Sequence, residues 1–85
     1  MKVITTKLFD KDYKALPNQI KALADKKLKL FLQNSRHPSL QIKKMEDPRD
    51  IWEDRITKAY RFTFQIEGDT YMLRRIGTHD ILRTP

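Results

Sequence analysis

The alternation of apolar and polar residues between Trp52 and Ile76 constrains the fold of this chain most strongly. A period of two is typical of β-strands that bury one face and expose the other. Gly68-Asp69 interrupts the alternation as a two-residue hairpin turn, in which glycine can adopt a positive φ. The pattern predicts an antiparallel meander with strands over residues 40–45, 51–56, 60–67 and 70–77.

The first half of the chain has a different pattern. Residues 3–7 are rich in β-branched side chains and predict a first strand. Residues 9–16 predict a short helix, and Pro17 suits the first turn of a second helix that runs to about residue 34. The segment from Ser35 to Ser39, which contains Pro38, is expected to end the second helix.

Apolar residues at helical spacing form the expected buried stripe of the second helix: Ile20, Leu23, Ala24, Leu28 and Phe31. The order strand, helix, helix, meander predicts one α+β domain over residues 1–85. We expect the helices to pack on one face of a twisted sheet.

The composition excludes several kinds of site. The chain has no cysteine, so it can form neither a disulfide nor a thiolate metal site. His37 and His79 are its only histidines, too few to favour a histidine-built metal centre, and we expect no metal or cofactor. No run of about 18 apolar residues is present, so we expect a soluble, cytoplasmic protein without a membrane partner. The net charge of +7 indicates an acidic partner, either nucleic acid or protein.

The turn at Gly68-Asp69 sets the strand register and so assigns side chains to the two faces of the sheet. It places Phe62 and Phe64 on the helix-covered face, here called the core face. Arg61 lies on the other face, here called the polar face, together with Arg74 and Ile76. A three-residue loop over 57–59 would set Arg55 directly opposite Arg61. Opposed like charges destabilise a sheet by some tenths of a kcal/mol, so Arg55, Arg61 and Arg74 favour a phosphate site over a merely solvated surface.

Three further positions could contribute to the same face. Lys43 and Lys44 on the preceding strand would extend the positive field, although a solubilising role fits them equally well. Glu53 projects onto the polar face, either as an ion-pair partner of the arginines or as a general base. His79 would reach the arginines if a bulge or bend at Gly77 redirected it. Histidine suits general acid–base chemistry near neutral pH, and a surface or capping role is the alternative.

The segment Trp52-x-x-Arg-Ile-Thr-x-x-Tyr-Arg61 resembles the central strands of the RelE/ParE superfamily of toxins. The flanking segments His37-Pro-Ser-Leu40 and Ile76-Gly-Thr-His-Asp80 are also similar to that family, and the resemblance spans nearly the whole chain. It implies the toxin of a type II toxin–antitoxin pair, with an acidic antitoxin as its partner. The implied activity is a metal-independent endoribonuclease that cuts mRNA in the ribosomal A site. The 2′-OH attacks the adjacent phosphate, leaving a 2′,3′-cyclic phosphate and a free 5′-OH.

The resemblance also implies roles for individual residues. Arg61 matches the arginine that stabilises the transition state, His79 matches a basic position after a glycine, and Arg55 matches a basic strand position. The chain departs from the family where Trp52 and Asp54 replace two strand lysines of RelE itself. It also lacks a C-terminal tyrosine, and the strand glutamate of the YoeB-like branch is not evident near Leu40. Two alternatives therefore stay open: a ParE-like inhibitor of DNA gyrase, and an inactive homologue that only binds its antitoxin.

Overall fold

The computed structural model describes residues 2–34, 37 and 40–85. A short strand is followed by two helices and then by four strands and a 3₁₀ helix. The elements in chain order are β1 (Lys2–Thr5), α1 (Lys7–Lys14), α2 (Asn18–Gln33), β2 (Ile42–Lys44), β3 (Trp52–Arg55), β4 (Tyr60–Glu67), β5 (Thr70–Thr78) and the 3₁₀ helix (His79–Arg83). The predicted α+β architecture is confirmed. Helix α2 ends at Gln33 with Asn34 as its C-cap, so its predicted end near residue 34 is confirmed. The segment over residues 35–39, predicted to stop the helix, and the His37–Leu40 motif lie largely outside the described residues.

The five strands form one sheet in the order β1-β5-β4-β3-β2. Strands β2 to β5 make the predicted antiparallel meander, and β1 pairs in parallel with β5 at the edge. Strand β2 is shorter than the alternation predicts, because only residues 42–44 pair with β3. Neither helix of the described residues is long and apolar enough to cross a membrane.

Aromatic side chains join the helices to the core face of the sheet. Phe31 of α2 contacts Phe62, Phe64 and Tyr71, with ring centroids 4.7–5.5 Å apart. Phe62 and Phe64 are 0% and 1% exposed, as their alternation predicts. Leu23 does not share this core, since it is 45% exposed, and its place in the predicted buried stripe was wrong.

Helix α1 is tied to both of its neighbours by polar contacts. Thr6 caps its first turn by accepting a hydrogen bond from the Phe9 amide, and the same hydroxyl donates to the Arg74 carbonyl at 2.7 Å. The Tyr13 hydroxyl donates to Asp25 of α2 at 2.6 Å, and this carboxylate raises the pKa of Tyr13.

A β-bulge on β5 changes which side chains reach each face. Phe64 pairs with Leu73 as predicted, but Thr63 pairs with Arg75, so Arg74 is the extra residue. Beyond the bulge the alternation is inverted, and Ile76 faces Phe62 and is 1% exposed. The expectation that Ile76 lies on the polar face was therefore wrong, because a bulge shifts every later side chain by one position.

Candidate active site

Arg61 lies on the polar face beneath the turn that joins β3 to β4. Its Nη1 donates to three backbone carbonyls, those of Thr57, Lys58 (3.2 Å) and Tyr60 (3.0 Å). Its Nε lies 3.9 Å from Oε1 of Glu53. Arg61 is consequently only 8% exposed, and the expectation of an open surface position was wrong. Among the described residues Nη2 has no partner, so this nitrogen can still donate to a ligand.

Arg55 stands directly opposite Arg61 across the β3–β4 ladder, so the predicted pairing is confirmed. The Ile56 amide donates to the Tyr60 carbonyl at 3.0 Å, which closes the three-residue loop that the prediction assumed. The Arg55 guanidinium turns toward the sheet edge, where Nη1 donates to Oε1 of Gln41 at 3.1 Å. The two guanidinium groups thus use different partners while sharing one face.

His79 begins the 3₁₀ helix at the end of β5, where Thr78 acts as its N-cap. Its ring Nε2 lies 3.1 Å from the Lys58 carbonyl oxygen, the same atom that accepts from Arg61. The shared oxygen brings a permanent cation and an imidazole to one end of the sheet. The predicted redirection does occur, but the bulge lies at Arg74 and not at Gly77.

The two lysines of β2 lie on opposite faces. Lys43 pairs with Glu53 and so extends the polar face at its edge. Lys44 pairs with Trp52 on the core-face side, and its Nζ lies 3.1 Å from Asp50 and 5.9 Å from the centre of the Trp52 ring. Lys44 therefore does not belong to the cluster around Arg61.

The C-terminal segment, residues 79–85, covers part of the polar face. The Pro85 carbonyl accepts hydrogen bonds from the Thr63 hydroxyl (3.2 Å) and from Nε of Arg74 (3.1 Å). Nη1 of Arg74 donates to Gln65 at 2.6 Å. Thr63 is 0% exposed beneath this segment. Arg74 thus anchors the C-terminal segment, a role that the sequence reasoning did not assign to it.

The residues that sequence reasoning missed contribute mainly through their backbone. The Lys58 carbonyl oxygen lies between Arg61 and His79 and contacts both. The Pro85 oxygen accepts hydrogen bonds from Thr63 of β4 and Arg74 of β5. Every residue type has a backbone carbonyl, so the sequence does not indicate which carbonyl oxygens make such contacts. The described residues contain no group of three or more side chains of the types that could hold a metal ion.

Three of the side chains that sequence reasoning singled out surround one small region. Glu53 meets the Arg61 guanidinium at Nε, and His79 approaches its Nη1 through the shared Lys58 oxygen. A carboxylate and an imidazole beside a fixed cation can move protons around a bound phosphate. This constellation is the candidate active site.

The fold is that of the RelE-like toxins, as comparison with solved structures shows. The chain superposes on the RelB–RelE antitoxin–toxin complex from Methanococcus jannaschii with a TM-score of 0.78, at 24% identity over 95% of each chain. YafQ from E. coli gives a TM-score of 0.79 at 14% identity, over 95% of this chain and 96% of that one.

A YoeB/ParE toxin from Agrobacterium tumefaciens gives a TM-score of 0.77 at 15% identity, over 93% of this chain and 99% of that one. No protein-family model and no curated protein matches the sequence. The resemblance predicted from the motifs is therefore confirmed at the level of the fold. The structural neighbours are toxins of toxin–antitoxin systems.

Proposed function

We propose that this chain is the toxin of a type II toxin–antitoxin system and an endoribonuclease that cleaves mRNA in the ribosomal A site. One observation carries the proposal: Arg61 and His79 bind the same carbonyl oxygen, with Glu53 at the other edge of the guanidinium. The basic net charge of +7 supports an RNA substrate. The RelB–RelE antitoxin–toxin complex among the structural neighbours supports an antitoxin as partner, and the net charge of +7 favours an acidic one.

In the proposed reaction the substrate supplies its own nucleophile. The 2′-OH attacks the adjacent phosphorus, the bond from phosphorus to the 5′-oxygen breaks, and the products are a 2′,3′-cyclic phosphate and a 5′-OH. Glu53 accepts the proton of the 2′-OH, and His79 donates a proton to the departing 5′-oxygen. If Glu53 stays paired with Arg61, His79 takes the proton of the 2′-OH instead, and a water molecule protonates the departing 5′-oxygen.

The arginines stabilise the negative charge that develops on the phosphate. Nη2 of Arg61 is the donor still available, and Arg55 contributes its charge from the opposite strand. Lys43 and Arg74 extend the positive surface along which the RNA strand would lie. The buried position of Arg61 favours catalysis, because a donor held by three carbonyls and shielded from water needs little reorganisation.

The test is a cleavage assay on translating ribosomes, mapped at the A site. We expect Arg61→Ala to lower the cleavage rate about 100- to 1,000-fold. We expect His79→Ala to lower it about 100- to 10,000-fold. Lys26→Ala, on the exposed surface of α2, is the matched control and should cleave like the wild type. Replacing the 2′-OH at the cleavage position by hydrogen should abolish cutting.

The stability of each variant must be measured in parallel. Arg61 donates charge-assisted hydrogen bonds to the β3–β4 turn, so its loss should cost about 1–3 kcal/mol of unfolding free energy. The three carbonyls keep other neighbours, since the Tyr60 amide donates to Thr57, the Ile56 amide donates to Tyr60, and His79 lies beside the Lys58 oxygen. Arg61→Lys keeps the charge without the planar fork and serves as the milder variant. Folded Arg61 and His79 variants that cut as fast as the wild type would exclude the proposed roles.

One observation favours a second candidate, a ParE-like gyrase inhibitor. The Arg61 guanidinium is already bound by protein carbonyls, and a YoeB/ParE toxin shares the fold. Inhibition of DNA supercoiling without any cleavage of A-site mRNA would establish that function instead.

A further inference from the structure

A cleft lined by four arginines lies on the polar side of the sheet, outside the group formed by Arg61 and His79. The arginine cleft has a volume of about 310 Å³ and is lined by Arg49, Arg74, Arg75, Arg83, Thr6, Leu8, Thr84 and Pro85. No aspartate or glutamate is among these lining residues. The cleft therefore concentrates positive charge at the junction of the C-terminal segment, β5 and the start of α1.

Carboxylate groups neutralise the positive charges of the four guanidinium groups to different degrees. Arg49 forms a bidentate pair with Asp47, and Arg75 forms one with Asp12. The Arg49 guanidinium lowers the pKa of Asp47 to about 2, and Arg74 contributes to the same shift.

Among the described residues, the other two arginines of the cleft form no hydrogen bond or ion pair with an aspartate or glutamate side chain. Arg74 donates to the side-chain oxygen of Gln65 and to the main-chain oxygen of Pro85. Arg83 is exposed and makes no side-chain hydrogen bond or ion pair within the described part of the chain. The cleft thus keeps positive charge that the fold itself does not neutralise.

Fixed contacts preorganise the cleft for an anion. Arg74 and Arg75 are adjacent on β5, and each is held by at least two hydrogen bonds. Side chains that are already ordered lose little conformational entropy when a ligand binds. Guanidinium groups in fixed positions match the oxygens of a phosphate.

The cleft lies too far from Arg61 to serve the same phosphate. Arg61 pairs with Gly77 on β5, and Arg74 lies three residues earlier on that strand. At roughly 3.3 Å per residue the two positions are about 10 Å apart along the sheet. One extended strand of nucleic acid can contact both places with different phosphates.

We propose that the arginine cleft binds a second backbone phosphate of the RNA strand, separate from the phosphate at the candidate active site. The identity of the ligand as RNA rests on the proposed function, whereas the affinity for a phosphate group follows from the cleft. Arg83 is the cleft residue that changes its partners most on binding, because its side chain has none among the described residues.

The test measures binding without cleavage. The probe is a short single-stranded RNA with a 2′-deoxy residue at the cleavage position, and its dissociation constant is measured between 50 and 200 mM salt, roughly the range over which counterion release is resolved. We expect Arg83→Gln to weaken binding about three- to tenfold at low salt and to reduce the slope of log K against log salt by about 0.7. Lys26→Gln removes the same charge from α2, on the other side of the sheet, and should leave the slope unchanged. Both side chains are exposed, so the melting temperature should not move in either variant.

A second arm locates the contact on the RNA. Backbone phosphates are replaced one at a time by neutral methylphosphonates, and we expect two separated positions to weaken binding to the wild type. In Arg83→Gln the position farther from the deoxy residue should lose its effect. Equal effects of Arg83→Gln and Lys26→Gln, or an absence of RNA binding by the wild type, would overturn the proposal. So would an Arg83→Gln defect confined to a complex with an acidic protein.

The two proposals fail in different ways. A wild type that binds the probe through Arg83 but never cleaves ribosomal mRNA would refute the proposed function and leave the cleft in place. A wild type that cleaves while Arg83→Gln binds and cuts normally would refute the cleft alone.

Discussion

Asp54 is a buried acidic residue whose charge is only partly compensated by its surroundings. Its side chain is 0% exposed on the core face between Ile42 and Phe62, and neither carboxylate oxygen has a hydrogen-bond partner in the part of the chain that the structure describes. Desolvation raises its pKa to about 6. Lys27 on α2 and the backbone amides of Arg55 and Gln41 oppose this shift only in part, and neither amide reaches hydrogen-bonding geometry.

This environment predicts that the protein is more stable in mild acid. The folded-state pKa of Asp54 lies above its unfolded value of 3.8, so the protonated form is favoured by folding. Protonated Asp54 adds about 2–3 kcal/mol to the unfolding free energy. This contribution is fully present below about pH 4 and is lost as the pH rises through 6. Unfolding in urea at pH 5 and pH 7.5 should show about half of this change, roughly 1.4 kcal/mol, because the unfolded-state carboxyl is already ionised at pH 5.

Asp54→Asn is the matched variant for this prediction, because it keeps the shape and cannot ionise. We expect it to be about as stable as the wild type at pH 5 and more stable at pH 7.5. The gain should fall below the full 2–3 kcal/mol, since a buried amide without partners has its own cost of about 1–3 kcal/mol. An unchanged pH dependence in Asp54→Asn would assign the effect to other groups.

Arg61 shows how much of the candidate site the sequence could predict. Alternation placed it on the polar face and set Arg55 opposite, because strand parity and loop length determine pairing. Its burial could not be predicted. That burial comes from carbonyl groups of the turn, and every residue type carries a carbonyl. The proximity of His79 to Arg61 depends on the same backbone oxygen.

Among the elements, β5 and the C-terminal segment contain most of what the sequence did not reveal. The antiparallel meander followed from period-two alternation and the Gly68 turn, where φ is 59°. The bulge at Arg74 has no such marker, since neither a glycine nor a proline stands there. The 3₁₀ helix over His79–Arg83 has too few residues to establish an apolar period.

Contact between Gly77 and Ile81 holds the C-terminal segment against the sheet. A Cβ at Gly77 would lie 3.0 Å from a side-chain methyl of Ile81, which is itself 5% exposed. We expect Gly77→Ala to reduce the unfolding free energy by about 1–3 kcal/mol, because the buried methyl must be displaced. Thermal or urea unfolding measures this loss.

A double-mutant cycle separates that steric clash from other effects of Gly77→Ala. Ile81→Ala alone should cost about 2–4 kcal/mol by leaving a cavity. The double variant should be more stable than the sum of the two losses implies, since the new methyl occupies part of the space that Ile81 vacates. Strictly additive losses would show that the two residues do not press on each other.

At the scale of the whole molecule, the excess of positive charge predicts how the protein meets its partner. A chain of 85 residues with a net charge of +7 attracts an acidic protein over distances limited by the Debye length, about 8 Å at physiological salt. Under the proposed function, we expect an acidic antitoxin to bind this chain with an association rate that falls steeply as salt increases, while dissociation changes less. Stopped-flow mixing at several salt concentrations measures both rates.

Apolar contacts should then determine how long the complex lasts. Large apolar side chains that the fold leaves exposed could anchor a partner: Ile4, Leu8, Leu23, Leu32 and Ile66. An association rate that is independent of salt, or no complex with an acidic antitoxin, would contradict this prediction.

The parallel pairing of β1 with β5 has a consequence for synthesis. Lys2 pairs with Thr70 and Thr5 with Leu73, so the first strand must wait for the last one before it has a neighbour. Contacts of such large sequence separation slow folding and delay its completion. The same late strand leads into His79, so a chain still emerging from the ribosome has neither a closed sheet nor an assembled candidate active site. During synthesis, the sheet therefore cannot close and His79 cannot come near Arg61 until β5 has left the ribosome.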